Sequence, residues 1–432
     1  MKPPFKEGDR AVLTPARIGK RGEAVGMHQG WRVRVAGGLP DETARVRITH
    51  VSRGGPVAAA VFEEPDGMPH PARRKPPCPI HDTCGGCGLQ HATEDRVLAW
   101  KIEQARGLMP DADWLEPIVS PRAFAYRAKT FLLPQWRGSH LLLGARPPRG
   151  PRLVDTSGCG VLRPEIETLA ARLRSQLGAR EDLVGRLHAL LLRSNRKGQT
   201  QLTVVHRGPP SEVADVAAAA GADAAFLQSH AGADNVICSQ DEEIRVAGDT
   251  LEERFGDAID VAIPATAFMQ ANPDVAEALY VEAAVALEGN RLAELYCGGG
   301  IAGLLALSRG DAQLHGVDRS PRAIAAAQWN AMRNGLGHRC MFEAIAAEDA
   351  SGAWDSVLVN PPRAGCDASV LEAIAKSEAR RCVYLSCNPA TLARDVEALG
   401  WTLESVRPAD MLPQTPHLEL LAILSRPGPS RD

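Results

Sequence analysis

Val383-Tyr384-Leu385-Ser386-Cys387-Asn388-Pro389-Ala390-Thr391-Leu392-Ala393-Arg394-Asp395 runs from an apolar strand through a polar turn into a helix. In an open α/β sheet, ligands bind outside the carboxyl ends of the strands. A thiol at position 387 therefore faces a substrate crevice instead of packing in a core. That placement favours a nucleophile over the small buried hydrophobe that a free cysteine usually is.

Working outward, the last 150 residues read as β-α-β-α repeats. Arg291-Leu292-Ala293-Glu294-Leu295-Tyr296 is an apolar strand, followed by Cys297-Gly298-Gly299-Gly300-Ile301-Ala302-Gly303 and an Ala/Leu helix. Glycines at 298 and 300 let the backbone approach a ligand at the start of that helix. The next strand ends at Asp318, and Ser320-Pro321 open a helix through about Asn334. An acidic residue about twenty positions after such glycines can hold a ribose hydroxyl pair. Val357-Leu358-Val359 leads to Asn360-Pro361-Pro362-Arg363, and the segments around 401–406 and 418–424 form a closing hairpin.

At 432 residues, two or three domains are expected. The net charge is -3, but residues 1–75 carry 14 Lys/Arg against 8 Asp/Glu, so the basic end is N-terminal. There is no run of about 18 apolar residues, and Met1-Lys2-Pro3-Pro4-Phe5-Lys6-Glu7 lacks the apolar core of a signal peptide. A cytoplasmic protein is expected, with no membrane partner. Ten cysteines in a reducing compartment point to metal binding and catalysis in place of a disulfide framework.

From Gly8 to about Glu64, five short β-prone runs are broken by glycine, which suggests a small OB-like barrel. Arg32, Arg34, Arg45 and Arg47 fall at period two, with Val33, Val35, Val46 and Ile48 facing inward. Such an arginine stripe either tracks a phosphate backbone or is an ordinary solvated face. Gly38-Leu39-Pro40-Asp41-Glu42 resembles the loop of the TRAM module of RNA-modifying enzymes. Residues 65–77, rich in proline and arginine, read as a linker.

Cys78, Cys84 and Cys87 follow, among Gly85, Gly86 and Gly88 that let the backbone wrap tightly around a ligand. Three thiols need a fourth, and Cys159 is the candidate. Four thiolates suit zinc or an iron-sulfur cluster, and the spacing does not choose between them. In the middle of the chain, Leu187–Arg193 and Thr200–Val205 form a hairpin, and residues 211–220 are helical. Arg127, Lys129, Arg137, Arg146 and Arg149 could contribute an RNA surface there.

Three sets of residues carry a family resemblance across essentially the whole length. They are Ser386-Cys387-Asn388-Pro389 with Thr391-Leu392-Ala393-Arg394-Asp395, Asp410-Met411-Leu412-Pro413 with His417-Leu418-Glu419, and the four cysteines 78, 84, 87 and 159. The chain resembles the bacterial RNA uracil-5 methyltransferases that act on ribosomal and transfer RNA, and Asn360-Pro361-Pro362 resembles the mark of S-adenosylmethionine-dependent enzymes acting on base substrates. The resemblance implies a class I methyltransferase, Rossmann-like α/β domain (263–432), an N-terminal TRAM or OB-like barrel (1–68) and a central α+β iron-sulfur domain (69–262).

By the same resemblance, Cys387 is the nucleophile and Glu419 the base. Cys78, Cys84, Cys87 and Cys159 hold a [4Fe-4S] cluster, and Gln270, Tyr296, Asp318 and Asn360 line the S-adenosylmethionine site beside Gly298 and Gly300. The expected partner is RNA, with 23S rRNA ahead of tRNA, and the expected state a monomer. Many relatives carry aspartate at Asn360, some carry asparagine at Ile301 and at Ala346, and histidine is common at Gln414; these departures weaken individual cofactor contacts without touching Cys387 or Glu419. A 5-methylcytidine enzyme and a non-catalytic RNA-binding iron-sulfur protein are the rival readings.

Overall fold

Alternation of apolar and charged residues sets the first sheet. The computed structural model describes residues 3–147, 152–230, 232, 243–265 and 267–428. Its contacts group the chain into two compact units, one of Met1–Pro110, Pro147–Arg152 and Leu412–Leu418, the other of Asp111–Arg146, Leu153–Met411 and Glu419–Asp432.

In the first unit, β1 (Arg10–Leu13), β2 (Arg17–Ile18), β3 (Ala24–His28), β4 (Trp31–Ala36), β5 (Ala44–Val51) and β6 (Val57–Pro65) form one sheet in the order β1-β5-β6-β4-β3-β2. There are six strands where five were expected, because the short Arg17–Ile18 run pairs with Val25 and Ala24. Trp31, Val33, Val35, Val46 and Ile48 share a core with Phe5 and Leu13, and the alternating arginines point out as the period-two pattern required.

Much of that arginine stripe is already paired. Arg10 and Arg47 meet Glu63, and Arg45 meets Glu64 and Asp66. The acidic partners arrive on β6 and directly after it, which the pattern of β5 alone does not reveal. Exposed pairs of this kind contribute little stability, but they halve the stripe's surplus charge.

The expected linker is bound structure. Arg73 hydrogen-bonds the buried Glu42 carboxylate and lies over the Phe62 ring, while Arg74 grips Glu94 and the Gln90 carbonyl. Burial works to raise the Glu42 pKa, yet the Arg73 and His70 hydrogen bonds outweigh it and the net shift is downward. Helix α1 (His81–Cys84) and helix α2 (Glu94–Arg106) follow, with Val97 and Trp100 of α2 packed on Ile18, Leu39, Leu89 and Ala92.

The second unit opens with β7 (Asp113–Trp114), β8 (Lys129–Arg137), β9 (His140–Ala145) and β10 (Val154–Asp155), then α3 (Pro164–Leu177), α4 (Glu181–Val184), β11 (Leu187–Ser194) and β12 (Thr200–His206). Helix α5 (Ala214–Ala219), β13 (Ala224–Ser229) and β14 (Ile244–Ala247) complete a seven-stranded sheet ordered β10-β9-β8-β11-β12-β13-β14. The α3 residues Ile166, Leu169 and Leu173, at helical spacing, bury against Leu190, Leu192, Leu202 and Val204. The expected 187–205 hairpin is present as β11 and β12.

Of the basic residues expected on an RNA surface here, Arg127 is half-buried and donates to the Lys129 carbonyl, whereas Arg137 and Arg146 are exposed. Arg149 lies outside the described residues.

After the hairpin of β15 (Leu251–Phe255) and β16 (Ile259–Ile263) come α6 (Pro273–Ala286), β17 (Arg291–Leu295), α7 (Ile301–Leu307), β18 (Gln313–Val317), α8 (Pro321–Arg333), β19 (Cys340–Glu343), β20 (Ser356–Val359), α9 (Ala368–Lys376), β21 (Arg381–Ser386), α10 (Pro389–Leu399), β22 (Thr402–Ala409) and β23 (Glu419–Ser425). The sheet order is β19-β18-β17-β20-β21-β23-β22-β7. The first five strands are parallel, and β23 lies antiparallel to both β21 and β22. Val357, Leu358, Val359, Cys382, Val383, Tyr384 and Leu385 are all buried, as strands covered on both faces must be. The helices begin where the sequence placed them: Ser320 caps α8 by accepting from Ala323 N at 3.3 Å, and Asn388 caps α10 by accepting from Ala390 N at 3.2 Å, each followed by proline.

Candidate active site

Strand order reverses at β17, which lies between β18 and β20. A crevice for ligand opens outside the carboxyl ends of parallel strands at such a switch point. Four expected site residues directly follow those ends: Tyr296 after β17, Asp318 after β18, Asn360 after β20 and Cys387 after β21. Glu419 joins them through register. Ser386 of β21 is paired with Leu420 of β23, so the next opposed positions along the two antiparallel strands are Cys387 and Glu419.

The thiol feels the carboxyl, and both feel one guanidinium. Burial pushes the Cys387 thiol up, the Glu419 charge adds to that, and the Arg363 guanidinium opposes both by its charge and a hydrogen bond to the sulfur. Burial also raises Glu419, to about 7, with Arg363 again pulling the other way. A half-buried thiol, a half-buried carboxyl and one cation therefore meet at a single strand edge. The turn bearing Cys387 is held locally: Ser386 Oγ accepts from Asn388 N at 3.2 Å, and Thr391 Oγ1 donates to the Asn388 carbonyl at 3.0 Å.

Around the glycine loop the backbone is left-handed at Tyr296 (φ 60°), Gly298 (φ 53°) and Gly300 (φ 72°). Tyrosine in that region is strained, and such strain collects at ligand sites. A Cβ at 298 would meet nothing within 4 Å, which leaves that face of the loop open, whereas one at 300 would stand 3.2 Å from the Phe342 ring. Asp318 fixes the loop, its carboxylate accepting from Gly298 N at 3.0 Å and Ser320 N at 2.8 Å. Each carboxylate oxygen retains acceptor capacity for ribose hydroxyls. The loop is tied from behind by Asn330 on α8, which donates to the Gly299 carbonyl at 3.1 Å and accepts from Ala262 N at 2.9 Å. These residues fit a nucleoside cofactor with a vicinal diol.

Gln270 is half-buried and hydrogen-bonds the Tyr280 hydroxyl of α6, which also feels the Glu419 charge. Asn360 is half-buried, and its backbone N–H donates to the Leu295 carbonyl at 3.3 Å. Sequence reading gave no role to Arg363, Tyr280 or Asn330. Arg363 stood beside the quoted Asn360-Pro361-Pro362, so its position was the one available signal; the others come from elements far away in the chain.

Beneath the loop, Glu294 is the one carboxyl within the apolar run of β17. It is buried and accepts from Gly303 N at 3.1 Å. Desolvation, the largest influence, raises it from its ordinary 4.5 to about 8. The folded state thus holds this proton more tightly than the unfolded state. The resulting stabilisation is complete below about pH 4.5 and is lost as pH rises through about 8. Glu294→Gln, which cannot ionise, is expected to gain on the wild type across that interval, by on the order of a few kcal/mol. Denaturant unfolding from acid to alkaline pH checks this; a stability difference independent of pH would contradict it.

The cysteine-rich stretch has tight local turns. Cys84 ends α1, with Gly85 left-handed after it, and a Cβ at Gly86 would stand 3.5 Å from the Cys84 sulfur. Cys78 N donates to the Gln90 side chain at 3.2 Å. Cys159 is in the second unit, packed against the apolar core of the seven-stranded sheet. Among the described residues, no group of three or more His, Cys, Asp or Glu side chains is gathered so as to hold a metal ion. Gln414 is buried in the first unit, its carbonyl accepting from Leu89 N at 3.0 Å. Among the described residues no helix is long and apolar enough to cross a membrane.

Residues 342–427 match the tRNA (uracil-5-)-methyltransferase family, and residues 258–381 match the methyltransferase small domain. A Bacillus cereus protein described as an uncharacterized RNA methyltransferase is 30% identical, over 97% of this chain and 97% of its own length. One from Geobacter sulfurreducens with the same description is 31% identical, over 100% and 92%. The fold matches the crystal structure of Pyrococcus abyssi tRNA (uracil-54, C5)-methyltransferase in complex with S-adenosyl-L-homocysteine with a TM-score of 0.77 and 23% identity, covering 96% of this chain and 99% of that one.

The parallel strand order with its antiparallel final strand, the glycine loop and the acidic strand-end partner define a class I S-adenosylmethionine-dependent methyltransferase. Full-length similarity then gives the narrower assignment. The chain belongs to the S-adenosylmethionine-dependent RNA 5-methyluridine methyltransferase family.

Proposed function

We propose that this enzyme methylates C5 of a specific uridine, in 23S rRNA ahead of other RNAs, through a covalent bond between Cys387 and C6 of the base, with Glu419 as the base that removes the C5 proton. The observation that carries this reading is the convergence of Cys387, Glu419 and Arg363 at the ends of β21 and β23.

C5 of uracil is too weak a nucleophile to be alkylated directly. Addition of the Cys387 thiolate to C6 forms a C–S bond and moves the C5=C6 electron pair to C5 and the C4 oxygen as an enolate. When bound, S-adenosylmethionine supplies an electrophilic methyl on a sulfonium. Glu419 takes the C5 proton from the methylated adduct, the C5–H pair rebuilds the double bond, and the thiolate leaves C6. A carboxyl near 7 suits that task, since a general base works best with a pKa close to the operating pH. Arg363 stabilises the thiolate before addition and after release.

Gln270, Tyr296, Gly298, Gly300, Asp318 and Asn360 form the proposed cofactor site. The proposed domains are 1–68 as a TRAM-like RNA-binding module, 69–262 as the central domain and 263–432 as the catalytic domain. A cytoplasmic monomer acting on a flipped-out uridine completes the reading. Phe268, exposed, with the Lys129 ammonium 5.4 Å from its ring centroid, offers a base-stacking face beside Gln270.

Cys78, Cys84, Cys87 and Cys159 are offered as [4Fe-4S] ligands on the family resemblance alone. Anaerobically purified protein is expected to contain about four iron and four sulfide per chain; colourless protein with stoichiometric zinc would overturn that assignment.

Transfer RNA is the second substrate reading, favoured by the names of the matched family and of the Pyrococcus abyssi protein. Mapping of 5-methyluridine in ribosomal and transfer RNA, from cells with and without the gene, decides between them. Loss of a ribosomal 5-methyluridine is the expected result. Loss confined to tRNA would support the second reading, and label from the cofactor in 5-methylcytidine would overturn both.

A further inference from the structure

Behind the Cys387 turn, one buried carboxylate gathers donors from three directions. Asp395 Oδ2 accepts from the Tyr384 hydroxyl of β21 at 2.6 Å and from Cys366 N at 2.7 Å, while Oδ1 accepts from Arg394 Nε at 2.8 Å and Nη2 at 2.5 Å. Arg394 Nη2 also reaches the carbonyls of Ala364 at 2.9 Å and Cys366 at 3.1 Å. The Asn388 side chain donates to the Arg363 carbonyl at 3.0 Å. Backbone groups of residues 363, 364 and 366 are thus bound to the first two turns of α10 and its cap.

The approach is too close for any side chain at the middle of the loop. Gly365 has φ 80°, and a Cβ there would lie 2.5 Å from both Arg394 Nη2 and Asp395 Oδ2. Arg363, whose guanidinium hydrogen-bonds the Cys387 sulfur, is carried by this clamped segment. The clamp spans the nucleophile in sequence: Tyr384 stands three residues before Cys387 and Asp395 eight after it. A carboxylate needed only to satisfy buried donors would have no reason to bind the one loop whose cation faces the thiol.

We propose that Asp395, with Arg394 and Tyr384, is a positioning clamp that holds the Arg363 guanidinium beside the Cys387 sulfur and thereby sets the reactivity of that sulfur. This rests on the reading of Cys387 as the nucleophile. The charged groups facing Cys387 are Glu419 from β23 and Arg363 from the loop after β20; those facing Asp395 are Arg394, with the Tyr384 hydroxyl and the Cys366 thiol adjoining. Without the clamp, Arg363 loses its fixed direction and water takes its place at the sulfur, so the thiolate forms only at higher pH.

The test is the pH dependence of Cys387 alkylation by iodoacetamide, followed on its own peptide by mass spectrometry, in the full-length wild type, Asp395→Asn, Tyr384→Phe and Arg363→Gln. Arg363→Gln and Asp395→Asn are expected to move the midpoint upward by about one pH unit. Tyr384→Phe, which removes one hydrogen bond and keeps the ring, is expected to move it less in the same direction. Turnover of both clamp variants is expected to fall roughly in step with the thiolate fraction, while KM for S-adenosylmethionine stays within about twofold.

In Arg363→Gln/Asp395→Asn the shift is expected to be no larger than in Arg363→Gln alone, because the second change acts through the first. A wild-type midpoint in both Asp395→Asn and Tyr384→Phe, with Arg363→Gln shifted, would overturn the clamp. If wild-type enzyme alkylated at Cys387 still transfers methyl groups, the nucleophile assignment itself fails.

Discussion

Replacing Cys387 by alanine is expected to lower methyl transfer by on the order of 10⁴-fold or more, because no other group can open the C5=C6 bond to alkylation. The loss should be confined to chemistry. Cys387 is half-buried at the end of β21, so truncation removes little packing, and the glycine loop with Asp318 is built from different strands. S-adenosylmethionine affinity and the thermal midpoint are expected to remain near wild type. Exchange of the C5 hydrogen of uridine with solvent, which also needs the enolate, should stop as well. Calorimetry, thermal unfolding and tritium release from C5-labelled RNA separate these effects; a variant that still methylates RNA at a tenth of the wild-type rate would exclude a covalent role for this sulfur.

Glu419→Gln has a different expected signature. The amide keeps the shape of the side chain but cannot take a proton, so addition and methylation proceed and the adduct persists. Turnover should drop by roughly 10² to 10⁴-fold, while a protein–RNA species that survives denaturing electrophoresis accumulates to near the enzyme concentration. The pH profile gives a second check. With its pKa raised to about 7, Glu419 is protonated and ineffective below that value, so wild-type turnover should climb as pH rises through it. The thiol, also raised, adds to the same upward trend. In Glu419→Gln the limb near 7 should disappear from product release. Normal release by this variant would transfer the base role elsewhere.

Much of the catalytic sheet was legible because its signals are local. The apolar runs ending at Leu295, Val317, Val359 and Ser386, each broken by a polar or glycine turn, give the parallel strands, and Ser320-Pro321 and Asn388-Pro389 give the helix starts. The barrel-like alternation of Arg32, Val33, Arg34 and Val35 was equally plain.

What was not legible depends on pairing between distant residues. No local pattern brings Glu63 and Asp66 to the arginines of β1 and β5, or binds Arg73 of the expected linker to Glu42. The opposition of Cys387 and Glu419 needs the β21–β23 register, since 32 residues separate them in sequence; their roles came from family resemblance. Arg363 was visible as a letter after Asn-Pro-Pro, but only the fold of residues 363–366 onto α10 turns its charge toward the thiol.

The central claim is that the sulfur at position 387 bonds to C6 during turnover. Uridine replaced by 5-fluorouridine in the substrate RNA offers the most direct measurement, because fluorine at C5 cannot leave as a proton does and the methylated adduct is trapped. After incubation with S-adenosylmethionine, digestion and mass spectrometry, the expected result is one peptide spanning Cys387 that carries a nucleotide bearing both the fluorine and one added methyl group. Trapped nucleotide on a different residue, or methylated 5-fluorouridine released free of protein, would contradict it.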